Sequence, residues 1–281
     1  MSHGCVHGVP ALRTHNGGMQ NPPPMPSTPL LSIADGVATL TLNRPAHRNR
    51  LEDADLHTLL EHMARVDADQ TVRVLVFTAN TQGQPRPVFS SGYHIGGFDG
   101  AAHDPQLFEK VPDALAALRP VTICALNGSV YGGATDLVLA CDLRIGLSGT
   151  ELRMPATALG LHYYPSGLQR FVTRFGINGA KRAFLAARPF SAERLLHMDC
   201  LEELACGADE FERALRKLVG DVARLAPLAV QATKQSLDEI STGHSNLAAM
   251  RAREAMTAAS ADFAEGRRAF LDKRPPGFTG R

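Results

Sequence analysis

Two short segments combine glycines with polar residues in a pattern that can hold a negatively charged oxygen. The first is Val88-Phe89-Ser90-Ser91-Gly92-Tyr93-His94-Ile95; the second is Asn127-Gly128-Ser129-Val130-Tyr131-Gly132-Gly133-Ala134-Thr135-Asp136. Each places glycine where an apolar, strand-like run breaks into a turn or helix. Glycine lets backbone approach a ligand closely. Two backbone N–H groups aimed at one oxygen form an oxyanion hole, which stabilises charge developing on a carbonyl. Gly133 would lie in the first turn of a helix, where N–H groups lack intrahelical acceptors and the dipole favours negative charge. The matching donor in the first segment is the N–H of Tyr93. Asp136 lies three residues after Gly133, on the same helix face. Its carboxylate would stand one turn from the oxyanion, beside the atoms that flank the polarised carbonyl. Either segment alone is also what an ordinary turn requires, and an acid in a first helical turn is favourable without any chemistry.

The elements around these segments alternate. Val37 to Leu42 has the period of a half-buried strand, ended by Asn43-Arg44-Pro45. Glu52 to Val66 reads as an amphipathic helix with Leu56, Leu59, Leu60 and Met63 on one side. Val72 to Thr78 and Val121 to Leu126 are continuous apolar runs, as in strands buried on both faces. Asp104 to Leu118 is helical in pattern, Gly133 to Leu139 is another helix, and Leu143-Arg144-Ile145 another strand. From about Asn178 to Ala264 the pattern is almost wholly helical. Order is expected to begin near Ile33. The succession predicts an α/β core followed by a helical C-terminal region. The expected division is a disordered leader over 1–28, a core over 29–205 and a helical region over 206–281.

Composition narrows the partners. The 281 residues are 44% hydrophobic and 20% charged, with a net charge of +1. That balance offers no electrostatic footprint for nucleic acid or an anionic membrane. No apolar run approaches the roughly 18–20 residues that span a bilayer, and Met1 to Pro29 lacks the apolar stretch of a signal peptide. Cys5, Cys124, Cys141, Cys200 and Cys206 are odd in number without CxxC spacing. They read as reduced thiols of a cytoplasmic protein. His3, His7 and His15 in the Gly- and Pro-rich leader match no metal-ligand spacing, and no metal is expected.

The ordered succession of short motifs resembles the enoyl-CoA hydratase/isomerase (crotonase) superfamily. Its landmarks are Leu42-Asn43-Arg44-Pro45, Phe89-Ser90-Ser91-Gly92, Asn127-Gly128 with Gly132-Gly133, Ala140-Cys141-Asp142-Leu143, Met154-Pro155 with Leu159-Gly160, and Gly167-Leu168-Gln169-Arg170. The run from Asp262 to Gly280 completes the set. The resemblance spans about Ile33 to Arg281. It implies a spiral ββα core, C-terminal helices serving trimer or hexamer contacts, and an acyl-CoA substrate. Coenzyme A belongs to that substrate, so no separate cofactor is expected. The thioester oxygen would sit between the N–H groups of Tyr93 and Gly133, and the shared intermediate would be an enolate. Fatty acid metabolism is the implied setting. Arg48, Phe270, Lys273 and Phe278 fall at positions implied to contact coenzyme A.

The pattern also departs from the family. Its hydratases use two glutamates. The first falls on Asp136, shorter by one methylene, or roughly 1.5 Å of reach. The second falls on Ala156, which has no proton to give. The dienoyl-CoA isomerases carry an aspartate at the Asp136 position, with further carboxylates that fall on Ala156 and Tyr164. The usual Gly-x-Asp of the first loop has become Gly92-Tyr93-His94, so His94 either titrates near the thioester or supports the loop. Methylmalonyl-CoA decarboxylases resemble the Leu161–Ser166 stretch, with a tyrosine matching Tyr163 that can hold a substrate carboxylate. Three readings therefore stand: hydratase/isomerase chemistry with Asp136, decarboxylation assisted by Tyr163, and a catalytically silent acyl-CoA-binding subunit. His94, Ala156 and Tyr164 are the site-lining candidates.

Overall fold

The structure is a computed structural model that describes residues 28–94 and 104–281. The expected leader, with its three histidines, lies outside the described residues except for Thr28, and so does Ile95 of the first glycine segment.

The chain begins with a hairpin of β1 (Leu30–Ala34) and β2 (Val37–Leu42), followed by α1 (Asp53–Ala68), β3 (Val74–Ala79) and β4 (Val88–Ser90). Next come α2 (Leu107–Ala116), β5 (Val121–Leu126), β6 (Ser129–Tyr131), α3 (Ala134–Ala140), β7 (Leu143–Leu147) and β8 (Glu151–Arg153). A 3-10 turn at Ala156–Leu159 leads to α4 (Pro165–Leu185), β9 (Phe190–Ser191), α5 (Ala192–His197) and β10 (Glu203–Ala205). The helices α6 (Ala208–Ala223), α7 (Pro227–Ser241), α8 (Leu247–Ala258) and α9 (Ala261–Asp272) end the chain.

Two sheets result. The larger has the order β1-β2-β3-β5-β7-β10, parallel throughout except for the β1–β2 hairpin. The smaller has the order β4-β6-β8-β9. Strand alternation splits the apolar side chains of the large sheet between two cores. Leu75, Phe77, Cys124 and Leu126 face α1, α2 and α3, while Val74, Val76, Ile123 and Ile145 face Phe211 and Ala214 of α6. That is why β3 and β5 read as continuous apolar runs. α6 forms the outer layer of this sheet, although the sequence groups it with the C-terminal helices.

Two sequence expectations change. β1 already starts at Leu30, ahead of Ile33. The Asp35-Gly36 turn, with φ of 50° and 76°, closes the hairpin; an Asp-Gly pair suits such two-residue turns because both positions need positive φ. Four of the five residues of this strand are exposed, which blurs the alternation that would mark it in sequence. The stretch from 178 to 264 is also not wholly helical. β9 joins the small sheet and β10 the edge of the large one, as pieces of two and three residues too short to show a period.

Candidate active site

The first glycine segment is held from behind by the loop after β2. Asn49 is buried, and its amide donates to the carbonyls of Asn80 and Val88 at 2.9 and 3.2 Å. The Ser90 hydroxyl donates to the Asn49 carbonyl at 2.7 Å and accepts from the Gly92 N–H at 3.1 Å. Leu51 then pairs in parallel with Tyr93: its N–H donates to the Gly92 carbonyl at 3.0 Å, and its carbonyl accepts from the His94 N–H at 2.9 Å. In a parallel ladder this pattern turns the N–H of the middle residue, Tyr93, away from Leu51.

The second segment meets the first at glycine. Gly92 has φ of 96°, and a Cβ there would lie 2.9 Å from the Tyr131 carbonyl oxygen and 3.4 Å from the Gly132 Cα. Gly132 still pairs with β8 through its N–H to the Arg153 carbonyl at 3.0 Å. Its φ of 57° then swings the chain into α3, with Gly133 as the N-cap. Among the described residues no acceptor faces the Gly133 N–H. All seven residues of α3 are buried, so Asp136 is carried into the interior at 0% exposure. Its own N–H donates to the Gly133 carbonyl at 2.9 Å, which fixes it one turn from the N-cap.

Aromatic rings close over this point. The tip of Phe108, on α2, rests on Gly133: a Cβ there would lie 2.7 Å from Phe108 Cζ. Phe108 sits with its centroid 5.3 Å from the Tyr93 ring and 6.2 Å from the Tyr164 ring. The Tyr93 hydroxyl donates to Asp53 at the start of α1. Burial, then the Asp53 hydrogen bond, raises the Tyr93 phenol above its usual range.

Asp136 is a paired carboxylate. Arg170 on α4 donates through Nε to Oδ1 at 2.8 Å and through Nη2 to Oδ2 at 2.7 Å. The Tyr164 hydroxyl donates to Oδ2 at 2.5 Å, and the Tyr163 hydroxyl donates to Tyr164 at 2.9 Å. Oδ2 thus accepts two hydrogen bonds and Oδ1 one among the described residues. A carboxylate oxygen has about two acceptor sites, so Oδ1 keeps one for another proton. Nη1 of Arg170 reaches Asp113 of α2 at 2.7 Å. Burial opposes the Arg170 charge, but the hydrogen bonds of Asp136 and Asp113 outweigh it and raise its pKa above the ordinary guanidinium value. Burial and then the Asp136 charge push both Tyr163 and Tyr164 well above the usual phenol range, so both stay protonated donors at neutral pH.

The other candidates are placed as follows. Tyr163 is 6% exposed and stacks on Tyr164 with centroids 4.1 Å apart; its proton is committed to that neighbour rather than aimed into an open pocket. Ala156 is buried at the head of the 3-10 turn. His94 is exposed. Arg48 is exposed and lines a cleft of about 1110 Å³ with Arg86, Tyr131 and Glu151, and its carbonyl accepts from the Ser91 N–H at 2.9 Å. Phe270 and Phe278 line another cavity, of about 610 Å³, among α7, α8 and α9; Lys273 caps α9 with φ of 51°. Of the coenzyme A candidates, Arg48 thus adjoins the first glycine segment, while Phe270, Lys273 and Phe278 lie on α9 and the tail that follows it. Arg170 appeared in the sequence only as part of a landmark motif. The one signal toward it was chemical, since an aspartate in an otherwise apolar helix needs a cation.

The family model for enoyl-CoA hydratase/isomerase matches residues 32–281. The chain belongs to the enoyl-CoA hydratase/isomerase family. It is 31% identical over 262 residues to the 2,3-dehydroadipyl-CoA hydratase of Escherichia coli K12, covering 90% of this chain and 98% of that one. It is 26% identical over 253 residues to the methylmalonyl-CoA decarboxylase of the same organism, covering 87% and 95%. The solved structure of Pseudomonas aeruginosa DspI superposes with a TM-score of 0.79 at 28% identity, covering 89% of this chain and 96% of that one. The fold is the α/β crotonase fold with its C-terminal helices, and the protein is an acyl-CoA enzyme of that family. No described helix is long and apolar enough to cross a membrane.

Proposed function

We propose that this family member shifts the double bond of an enoyl-CoA through a thioester enolate, with Asp136 as its single carboxylate. The thioester oxygen accepts from the Tyr93 and Gly133 N–H groups. Asp136 Oδ1 takes a proton from the carbon next to the carbonyl of a 3-enoyl-CoA, and the electron pair moves onto the thioester oxygen. The enolate collapses, and the same carboxyl returns the proton to the far end of the allylic system. The 2-enoyl-CoA forms with no atom gained or lost. The observation that carries this reading is Asp136, one turn from Gly133 with an acceptor site left on Oδ1, where Ala156 supplies no second acid. Hydration needs both a base for water and a donor to carbon; without the second group it loses help typically worth 10²–10⁴-fold.

Arg170 favours a second reading, decarboxylation. A bare Asp136 would repel a substrate carboxylate, but its charge is neutralised by a two-pronged ion pair. The similarity to a methylmalonyl-CoA decarboxylase supports the same reading. Here carbon dioxide leaves, its bonding pair forms the enolate, and a proton from solvent completes the product.

Both readings need no cofactor beyond the coenzyme A of the substrate. The proposal also keeps a cytoplasmic trimer or hexamer; the exposure of Phe270 (84%), Leu271 (78%) and Leu247 (72%) on the C-terminal helices supports assembly with further copies. The test is incubation with a 3-enoyl-CoA, crotonyl-CoA and methylmalonyl-CoA, with products followed by mass and absorbance. Conversion of the 3-enoyl-CoA at unchanged mass supports isomerisation; loss of carbon dioxide from methylmalonyl-CoA supports the second reading. Binding of all three without turnover of any leaves only an acyl-CoA-binding subunit.

A further inference from the structure

We infer that Arg170 is a positioning residue of this reaction: its guanidinium fixes the plane of the Asp136 carboxylate and ties it to the helix that covers the hole. The inference rests on the proposed isomerisation. Nε and Nη2 meet the two carboxylate oxygens at 2.8 and 2.7 Å, a fork-on-fork pairing that resists rotation of the carboxylate. The third arm, Nη1, meets Asp113 of α2 at 2.7 Å. The Asp136 side chain is 0% exposed and the Asp113 side chain 43%. One guanidinium thus runs from the buried carboxylate to the rim. α2 also carries Phe108, whose ring rests on Gly133. Arg170 therefore joins the wall above the hole to the carboxylate beside it.

The surrounding charges sharpen the role. Around Asp136 stand Arg170 and Tyr164 from the α4 side and Asp113 from the α2 side, with Glu109 of α2 reached through Ser166 at 3.3 Å. Arg170 is one cation among three carboxylates. Apolar residues of similar volume often replace a buried ion pair without loss of stability. Stability alone therefore gives no reason to keep a carboxylate next to Gly133. Lysine would keep the charge but lose the planar fork.

The test uses the full chain and a 3-enoyl-CoA, with kcat, KM and thermal unfolding measured for Asp136→Asn, Arg170→Lys and Asp113→Asn. Misplacing a reacting group by about 1 Å can cost 10²-fold, so Arg170→Lys is expected to lower kcat by about that factor with KM little changed. Asp113→Asn leaves the fork in place and is expected to raise KM more than it lowers kcat. Asp136→Asn is expected to abolish turnover. Wild-type kcat in Arg170→Lys, or a loss confined to KM, overturns the inference while an inactive Asp136→Asn keeps the reaction. Activity in Asp136→Asn, or no turnover by the unmodified protein, overturns the reaction itself. If Arg170→Lys does not fold, Tyr164→Phe decides: it removes the third hydrogen bond and spares the fork. A kcat loss of about tenfold or less, the size of one hydrogen bond, supports Arg170 as the orienting group. A loss as complete as that of Asp136→Asn overturns it.

Discussion

Gly92 and Gly132 meet backbone to backbone: a Cβ on Gly92 would lie 3.4 Å from the Gly132 Cα and only 2.9 Å from the Tyr131 carbonyl oxygen, too close to be accepted without a shift. That contact places the turn carrying the Tyr93 N–H against the turn carrying the Gly133 N–H. Alanine at 92 would also occupy a φ of 96°, a region L side chains rarely adopt. Gly92→Ala should spread the two turns. Loss of one oxyanion donor costs about 10²–10³-fold in kcat, and a drop of that order is expected in whichever thioester reaction the protein performs. Unchanged kcat in a folded Gly92→Ala protein would show that the two segments do not act on one oxygen.

Ala156 offers the opposite experiment. It is 4% exposed, so a larger side chain costs about 1–3 kcal/mol of overpacking. Ala156→Glu restores a carboxyl where the two-acid hydratases resemble this chain. Crotonyl-CoA hydration, followed by loss of enoyl absorbance, should rise by about 10²-fold, the low end for general acid–base help. A folded variant with no gain would mean that position 156 does not face the reacting carbons.

Gly167 makes room for the tyrosine pair. A Cβ there would lie 2.7 Å from Tyr164 Cε2 and would also strike the Tyr163 ring. Gly167→Ala should destabilise the fold by about 1–3 kcal/mol, read as a lower unfolding midpoint. It should also move Tyr164 off Asp136 and reduce turnover. Wild-type stability and turnover together would rule out the wedge.

The C-terminal tail is tied to α9 through one carboxylate. Glu265 on α9 accepts from Arg274 at 2.6 and 3.0 Å and from the Gly277 N–H at 3.1 Å. The Arg274 hydrogen bond, then that of Gly277, lowers its pKa from 4.5 to about 2. A carboxylate depressed in the folded state contributes stability above its unfolded pKa and loses it as pH falls through the folded one. Hydrogen-exchange protection of the amides after Lys273, taken relative to the intrinsic rate at each pH, should therefore fall as pH drops from about 4.5 towards about 2. Glu265→Gln should show the lower protection already at neutral pH. The same acid profile in that variant would exclude Glu265 as the tie.

The parallel α/β core was legible because β3 and β5 are buried on both faces, and that burial writes itself as unbroken apolar runs. β1 was not, because most of its side chains face outward. The two glycine turns were legible as glycines at two strand exits. Asp136 was legible as well, since a spacing of three in a helix is a local fact.

Sequence by itself thus determined the family, the two glycine turns, one carboxylate beside Gly133 and no second acid at Ala156. Each follows from residue type or from spacing within a single element. Tertiary structure alone decided what that carboxylate does when no substrate is present. Arg170 is 34 residues away, and the chain has many arginines; only the packing of α4 against α2 and α3 selects this one. The same packing turns Tyr163 onto Tyr164 and lays Phe108 on Gly133. Such partners are chosen by which helices share a buried volume, and no local period in the chain records that choice.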